Sequence, residues 1–216
     1  MSTSDAPSRD ELARTLADHA RSFDRRGWVL GTSGNLSARL GDTGRFLITV
    51  TGRHKGELEA DDFVTCNLAG QTTVDDGGRP SSDVGIHRTT YRELPQADAL
   101  YHVHHPDAVA LTVRWETQET LAFSGYSILK VFGIDDVTAS YEVPIISDEG
   151  APRHTARTIR RHTDDGSWAF DIPAVVARRH GLYVWGETPF AARRHLEALA
   201  HLCEVRLLAD RAGPRR

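Results

Sequence analysis

The sequence predicts a single α+β or three-layer α/β/α domain spanning residues 1–216. Three observations carry that prediction. Strand-length apolar runs and longer runs at helical spacing are interleaved along the chain. The opening third gathers its strand-like runs around turn-rich joints, the pattern of an antiparallel meander behind one helix. No internal repeat, low-complexity tract or linker divides the chain, and its 216 residues suffice for a sizeable core. Residues 1–8 and 211–216 are expected as flexible tails.

Ser8-Arg9-Asp10-Glu11 fits a capping box, in which serine and the glutamate three residues on satisfy each other's backbone amides. Leu12, Leu16, Ala20 and Phe23 follow at helical spacing, and Gly27 is placed to end the helix. A small-residue loop, Gly31 to Asn35, leads into Leu36 to Leu40. A Gly41-Asp42-Thr43-Gly44 turn then precedes a strand over Arg45 to Val50. The loop Thr51 to Gly56 leads to a third strand, Phe63 to Leu68, and Gly70 to Pro80 is turn-rich and polar. Ser81 and Ser82 stand at the start of a helix running to Leu94, where Pro95 stops it. Ala97 to Val103, interrupted only by Asp98, reads as a buried strand, and Pro106 to Val113 as a helix opened by proline. A short helix at Tyr126 to Phe132, a strand at Tyr141 to Ile146 and a helix at Ala151 to His162 come next. A polar loop over Thr163 to Ser167 separates them from strands at Ala174 to Ala177 and Leu182 to Trp185. The last helix runs from Pro189 to Asp210, with Ala192, His195, Leu199, Leu202 and Leu208 as packing positions.

Lys plus Arg number 26 against 30 Asp plus Glu, a formal charge of −4, which gives no electrostatic pull toward nucleic acid or an anionic membrane. There is neither an apolar run long enough to span a bilayer nor an apolar signal core, so a soluble, cytoplasmic protein is the default expectation. Cys66 and Cys203 are far apart and form neither a ligand cluster nor a disulfide framework. The 11 histidines exceed what packing needs and invite a search for a metal site.

Tyr101-His102-Val103-His104 closes the buried strand. Side chains two apart on a strand share a face, so His102 and His104 project together. Imidazole suits zinc and other divalent transition metals, and an open zinc site needs three protein ligands plus a free position. Solvated histidines at a strand end would read the same way, so a third ligand decides. His180 is that candidate: it ends a strand and precedes Gly181, which lets it approach another strand without a bulky neighbour. His19 and His195 lie within helices, His201 lies near the chain end, and alternation turns His105 away from the pair.

Two loops look suited to an anion. Thr32-Ser33-Gly34-Asn35 and Thr51-Gly52 offer hydroxyls and unobstructed backbone amides. Ser81 and Ser82 add a helix start, and Lys55 a positive charge. Each alone is more simply a turn or a cap; together they point to a phosphorylated small substrate. No Gly-x-x-x-x-Gly-Lys-Ser/Thr or Gly-x-Gly-x-x-Gly loop is present.

Thr32-Ser33-Gly34-Asn35-Leu36-Ser37, Thr51-Gly52-Arg53, Pro80-Ser81-Ser82-Asp83 with His87, His102-x-His104 and His180-Gly181 occur in the order of the class II aldolase/adducin family. The chain resembles that family from Leu12 to Leu208. Gly125-Tyr126-x-x-x-Lys130 and the stretch from His180 to Ala198 resemble most its branch that dehydrates 5-methylthioribulose 1-phosphate in methionine salvage. The resemblance implies a three-layer α/β/α fold around a mostly antiparallel, nine-stranded sheet and a homotetramer with sites near subunit boundaries. It implies Zn2+, or another divalent transition metal, on His102, His104 and His180. It places the substrate phosphate near Asn35, Thr51, Gly52, Ser81 and Ser82.

Metal and phosphate sites of this kind serve two reactions on a ketose 1-phosphate. Removing the C3 proton lets the C4 hydroxyl leave as water; deprotonating the C4 hydroxyl instead breaks the C3–C4 bond and yields dihydroxyacetone phosphate and an aldehyde. The acid/base carboxylate chooses between them, and here the chain departs from the family. Asp83 stands where the aldolases carry Glu, and Ser127 where the dehydratases carry Glu. Asp83, Glu142 or a zinc-bound hydroxide are the replacements considered. A non-catalytic scaffold, as in the adducin branch, is the reading from another class; three converging imidazoles argue against it.

Overall fold

Ser8 caps the first helix, α1 (Arg9–Arg25), and its capping box with Glu11 closes in both directions. From there the computed structural model describes residues 7–70, 78–147, 151–164 and 167–212. In chain order follow β1 (Asn35–Arg39), β2 (Arg45–Thr49), β3 (Phe63–Asn67), α2 (Val84–Glu93), β4 (Ala99–Val103), α3 (Pro106–Arg114), β5 (Thr120–Phe123) and β6 (Tyr141–Ile146). Then come α4 (Ala151–Arg161), β7 (Thr163–Asp164), β8 (Ser167–Trp168), β9 (Ala174–Ala177), β10 (Gly181–Gly186) and α5 (Pro189–Ala212).

The strands form one sheet in the order β3-β2-β1-β4-β10-β9-β6-β5, antiparallel throughout except where β6 meets β9. Among the described residues it has 8 strands, not the nine the resemblance implied, with β7 and β8 forming a separate hairpin. The sheet is apolar on both faces, as it must be between two helical layers. Phe46, Ile48, Leu100, Val175, Tyr183 and Trp185 pack toward α2 and α4. Their strand neighbours Leu47, Tyr101, Val176, Leu182 and Val184 pack toward α1, α3 and α5. That strict alternation sends His102 to the α2 face and Tyr101 to the α1 face.

Several expectations need correction. Helix α2 begins at Val84 with Asp83 as its cap residue, not at Ser81. The Ser81 amide donates to Thr49 O and the Val84 amide to Ser81 O, so a turn onto the end of β2 precedes the helix. Strand β5 was not anticipated; its four residues are too few to show a clear strand pattern, and they pair with β6 at the sheet edge. Residues 127–132 form a 3₁₀ helix. Leu208 on α5 is 54% exposed, not packed. Helix α5 runs to Ala212 and Ser8 caps α1, so both elements reach into the stretches expected as tails. The rest of those tails, residues 1–6 and 213–216, and most of the turn at 70–80 lie outside the described residues.

Candidate active site

Strand β4 ends between β1 and β10, and the backbone there is drawn together by two glycines. A Cβ on Gly181 would lie 2.1 Å from Val103 O, and one on Gly34, at φ 73°, would lie 2.6 Å from Val29 Cγ1 and 2.8 Å from His102 O. Only glycine admits β10 and the 31–34 loop this close to the strand end. His180 precedes Gly181 in a turn held by Arg178, whose guanidinium donates to the carbonyls of Thr112, Trp115 and Gln118.

Three imidazoles meet at this point. His102 Nε2 lies 3.1 Å from His104 Nε2 and 3.2 Å from His180 Nε2, and one ligand atom from each falls within 4.8 Å of the others. His102 is buried, stacked on the Tyr183 ring at 4.0 Å and 6°, and its Nδ1 faces Leu182 O at 2.9 Å. The carbonyl can only accept, so Nδ1 carries the proton and Nε2 turns a bare lone pair to its neighbours. Burial and the two neighbouring imidazoles push the His102 pKa well below its ordinary value, which keeps that lone pair free. His104 Nε2 and His180 Nε2 converge on that lone pair, an arrangement that one shared cation satisfies. Tetrahedral zinc with nitrogen at 2.0–2.1 Å separates its ligands by about 3.3 Å, close to the spacing found. The donor set therefore fits a divalent metal.

Asp83 stands beside the triad, with Oδ2 3.8 Å from His102 Nε2. The same oxygen accepts from Asn35 Nδ2 at 2.7 Å and from Tyr183 OH at 3.4 Å. Next to them opens a cavity of about 220 Å³. The predicted metal and phosphate residues line it together with Asp83: the three histidines, and Asn35, Thr51, Gly52, Lys55, Ser81 and Ser82. A larger cavity of about 480 Å³ near Trp168 and Trp185 has no converging ligand set among the described residues, so size does not identify the site. Lys55 is buried, and its ammonium donates to Thr32 O at 3.0 Å and Arg53 O at 2.8 Å. Burial brings its pKa down to about 8, which leaves it a cation at neutral pH.

Some expectations change in detail. The amides of Ser81 and Val84 are taken by backbone carbonyls, so the helix start offers fewer free donors than its sequence implied. Glu142 is exposed on β6 and Ser127 lies on the 3₁₀ turn; neither lines the cavity. His105 caps α3 and packs against Trp28 at 5.0 Å, away from the triad. Sequence reasoning gave no role to Tyr183 or Arg178. The signal for Tyr183 was present: it follows Gly181 by two residues, on the same strand face.

The chain belongs to the Class II Aldolase and Adducin N-terminal domain family, whose model matches residues 14–207. Within it, the chain is 38% identical to a methylthioribulose-1-phosphate dehydratase of Methylococcus capsulatus, over 89% of this chain and 91% of that protein. It is 35% identical to one of Pseudomonas paraeruginosa, over 94% and 97%. Its fold is that of YgbL, a putative aldolase/epimerase/decarboxylase of Escherichia coli, with a TM-score of 0.79 at 25% identity over 96% and 93% of the two chains. The L-fuculose-1-phosphate aldolase of Thermus thermophilus shares the fold with a TM-score of 0.73 at 23% identity, over 95% and 97%.

Proposed function

We propose that this protein is a zinc-dependent lyase that dehydrates 5-methylthioribulose 1-phosphate to a diketo-5-methylthiopentyl 1-phosphate. The observation that carries this is the placement of Asp83 beside three converging imidazoles, in the cavity that also holds Lys55. The dehydratase names of relatives at 33–38% identity support the substrate. His102, His104 and His180 hold the metal. When bound, zinc polarises the substrate carbonyl at C2 and acidifies the C3 proton. Asp83 takes that proton, the C4–O bond breaks, and the C4 hydroxyl leaves with one proton as water. An aspartate reaches one methylene less far than glutamate, and Asn35 and Tyr183 steady it by binding Oδ2. Lys55 gives two of its three donors to carbonyls, and the substrate phosphate takes the third, with the hydroxyls of Thr51, Ser81 and Ser82 around it.

Aldol cleavage of a related ketose 1-phosphate is the second reading. It is favoured by one observation: Ser127 replaces the expected dehydratase Glu, while Asp83 occupies the aldolase position. Mass spectrometry of products from zinc-loaded protein and 5-methylthioribulose 1-phosphate separates the two. A product lighter by one water supports dehydration; dihydroxyacetone phosphate and an aldehyde overturn it. Metal content below about 0.2 equivalents after gentle purification would favour a scaffold instead. The single domain over residues 1–216, the homotetramer and the cytoplasmic setting belong to the same proposal, and sedimentation velocity tests the tetramer. Among the described residues no helix is long and apolar enough to cross a membrane.

A further inference from the structure

Behind Asp83 runs a buried polar chain that the reaction itself does not require. Asp83, His87 and Tyr91 recur every four residues along α2, and Asn35 and Ser37 lie two apart on β1. Four helical residues rise about 6 Å and two strand residues about 6.6 Å, so the two rows keep step and interleave. Asn35 Nδ2 lies 2.7 Å from Asp83 Oδ2, His87 Nε2 lies 2.5 Å from Asn35 Oδ1, and Ser37 Oγ lies 2.5 Å from both His87 Nδ1 and Tyr91 OH. His87, Ser37 and Tyr91 are 1% exposed or less.

The chemistry of these groups orders the protons. The Asn35 oxygen can only accept, so His87 carries its proton on Nε2. Its Nδ1 is then bare and accepts from Ser37, which in turn accepts from Tyr91. Burial pushes the His87 pKa down to about 3, so the ring is neutral and has a single proton to place. Every donor therefore points from the Tyr91 phenol toward the Asp83 carboxylate. An amide cannot pass a proton on as an imidazole does, so the chain orients and does not conduct.

We propose that His87 is a positioning residue: by holding the Asn35 oxygen it keeps the Asn35 NH2 group facing Asp83 and so fixes the carboxylate beside the metal site. Without that hold the amide can turn over and set its oxygen against the carboxylate, acceptor against acceptor, which displaces Asp83. This rests on the proposed acid/base role of Asp83.

Two polar variants separate positioning from general structure. In His87→Gln the side-chain NH2 reaches the place of Nε2 and still donates to Asn35; in His87→Asn the shorter amide keeps the Ser37 side and loses Asn35. His87→Gln is expected to hold kcat within about 5-fold of the wild type, and His87→Asn to lower it about 100-fold, in the range of a mispositioned acid/base group. KM and bound zinc stay unchanged in both. Equal kcat in the two variants, or a loss confined to KM or to metal, overturns the inference. Wild-type turnover of 5-methylthioribulose 1-phosphate is measured first, so failure of the functional reading shows as an inactive wild type. Crystal structures of the two variants then decide the inference alone: a displaced Asp83 carboxylate in His87→Asn only is expected, and an unmoved carboxylate in both overturns it.

Discussion

The two halves of the site are built from different material. The metal half hangs on β4 and β10, strands in the middle of a sheet buried on both faces, and its position is set by backbone pairing and by Gly181 and Gly34. The anion half is made of loops: Thr51, Gly52 and Ser82 are exposed, and only Lys55 and Ser81 of its hydroxyl and ammonium groups are buried. A metal needs ligand atoms placed within tenths of an ångström, whereas a phosphate can be gathered by donors that adjust around it. The comparison predicts that changes in the strand half abolish the reaction, while changes in the loop half weaken binding.

The largest effect is expected from His102→Ala. It removes the ligand that both other histidines face, so metal content and activity fall together, activity by more than about 1000-fold. Zinc quantification alongside turnover checks this; full activity without metal would sink the metal-centred half of the comparison.

The strand half also has a weakness to acid. His19 on α1 is buried, with Nδ1 2.7 Å from Tyr101 OH, and that hydroxyl donates to Pro189 O at the start of α5. Together they pin α1 and α5 to the strand that carries His102. Burial lowers the His19 pKa from 6.5 to about 4. The unfolded chain therefore binds a proton that the folded one resists, and stability is lost as pH falls from 6.5 through about 4. The loss between pH 7.5 and 5 is about 2 kcal/mol from this group alone. Urea denaturation at the two pH values should show His19→Gln losing less than the wild type by about that amount. An identical loss in both would remove His19 from the account.

How much of this was legible beforehand follows the same division. Strand alternation put His102 and His104 on one face, and glycine after His180 forecast its close approach; both inferences use backbone rules that hold without tertiary information. The α1 capping box and the opening meander were readable for the same reason. The start of α2 was not, because the return of Ser81 onto Thr49 is a tertiary contact that overrides a local helix signal. Nor was the role of Asn35 between Asp83 and His87, which depends on a match between α2 and β1 that neither segment shows alone. Strand β5 was too short, and Leu208 lies at a helical position that the apolar pattern cannot distinguish from a packed one.

In the loop half, Lys55→Met is expected to raise KM about 10- to 100-fold, with kcat and bound zinc little changed, because the ammonium binds ground and transition states alike. The wild-type kcat/KM should also fall as pH rises through about 8, where the free-enzyme ammonium loses its proton. That limb should be missing in Lys55→Met. A drop in kcat with KM unchanged would place Lys55 with the reacting atoms instead of the phosphate.

The smallest effect sharpens the comparison at its border. Arg178 does not line the cavity, yet it holds the turn that aims His180 by donating to Thr112 O, Trp115 O and Gln118 O. Arg179, the next residue, sits at φ 59°, a left-handed conformation disfavoured outside glycine, so the turn depends on these anchors. Arg178→Ala should loosen His180 while leaving His102 and His104, which belong to β4 and its end, in place. Zinc affinity is then expected to fall about 10-fold, the range for loss of a group that supports a ligand from behind. Competition with a chelator measures it, and adding zinc should restore kcat to near the wild-type value. If affinity is unchanged, the position of His180 comes from Gly181 and the β4–β10 pairing alone; if excess zinc fails to restore kcat, the turn also holds the substrate, and the border between the halves lies elsewhere.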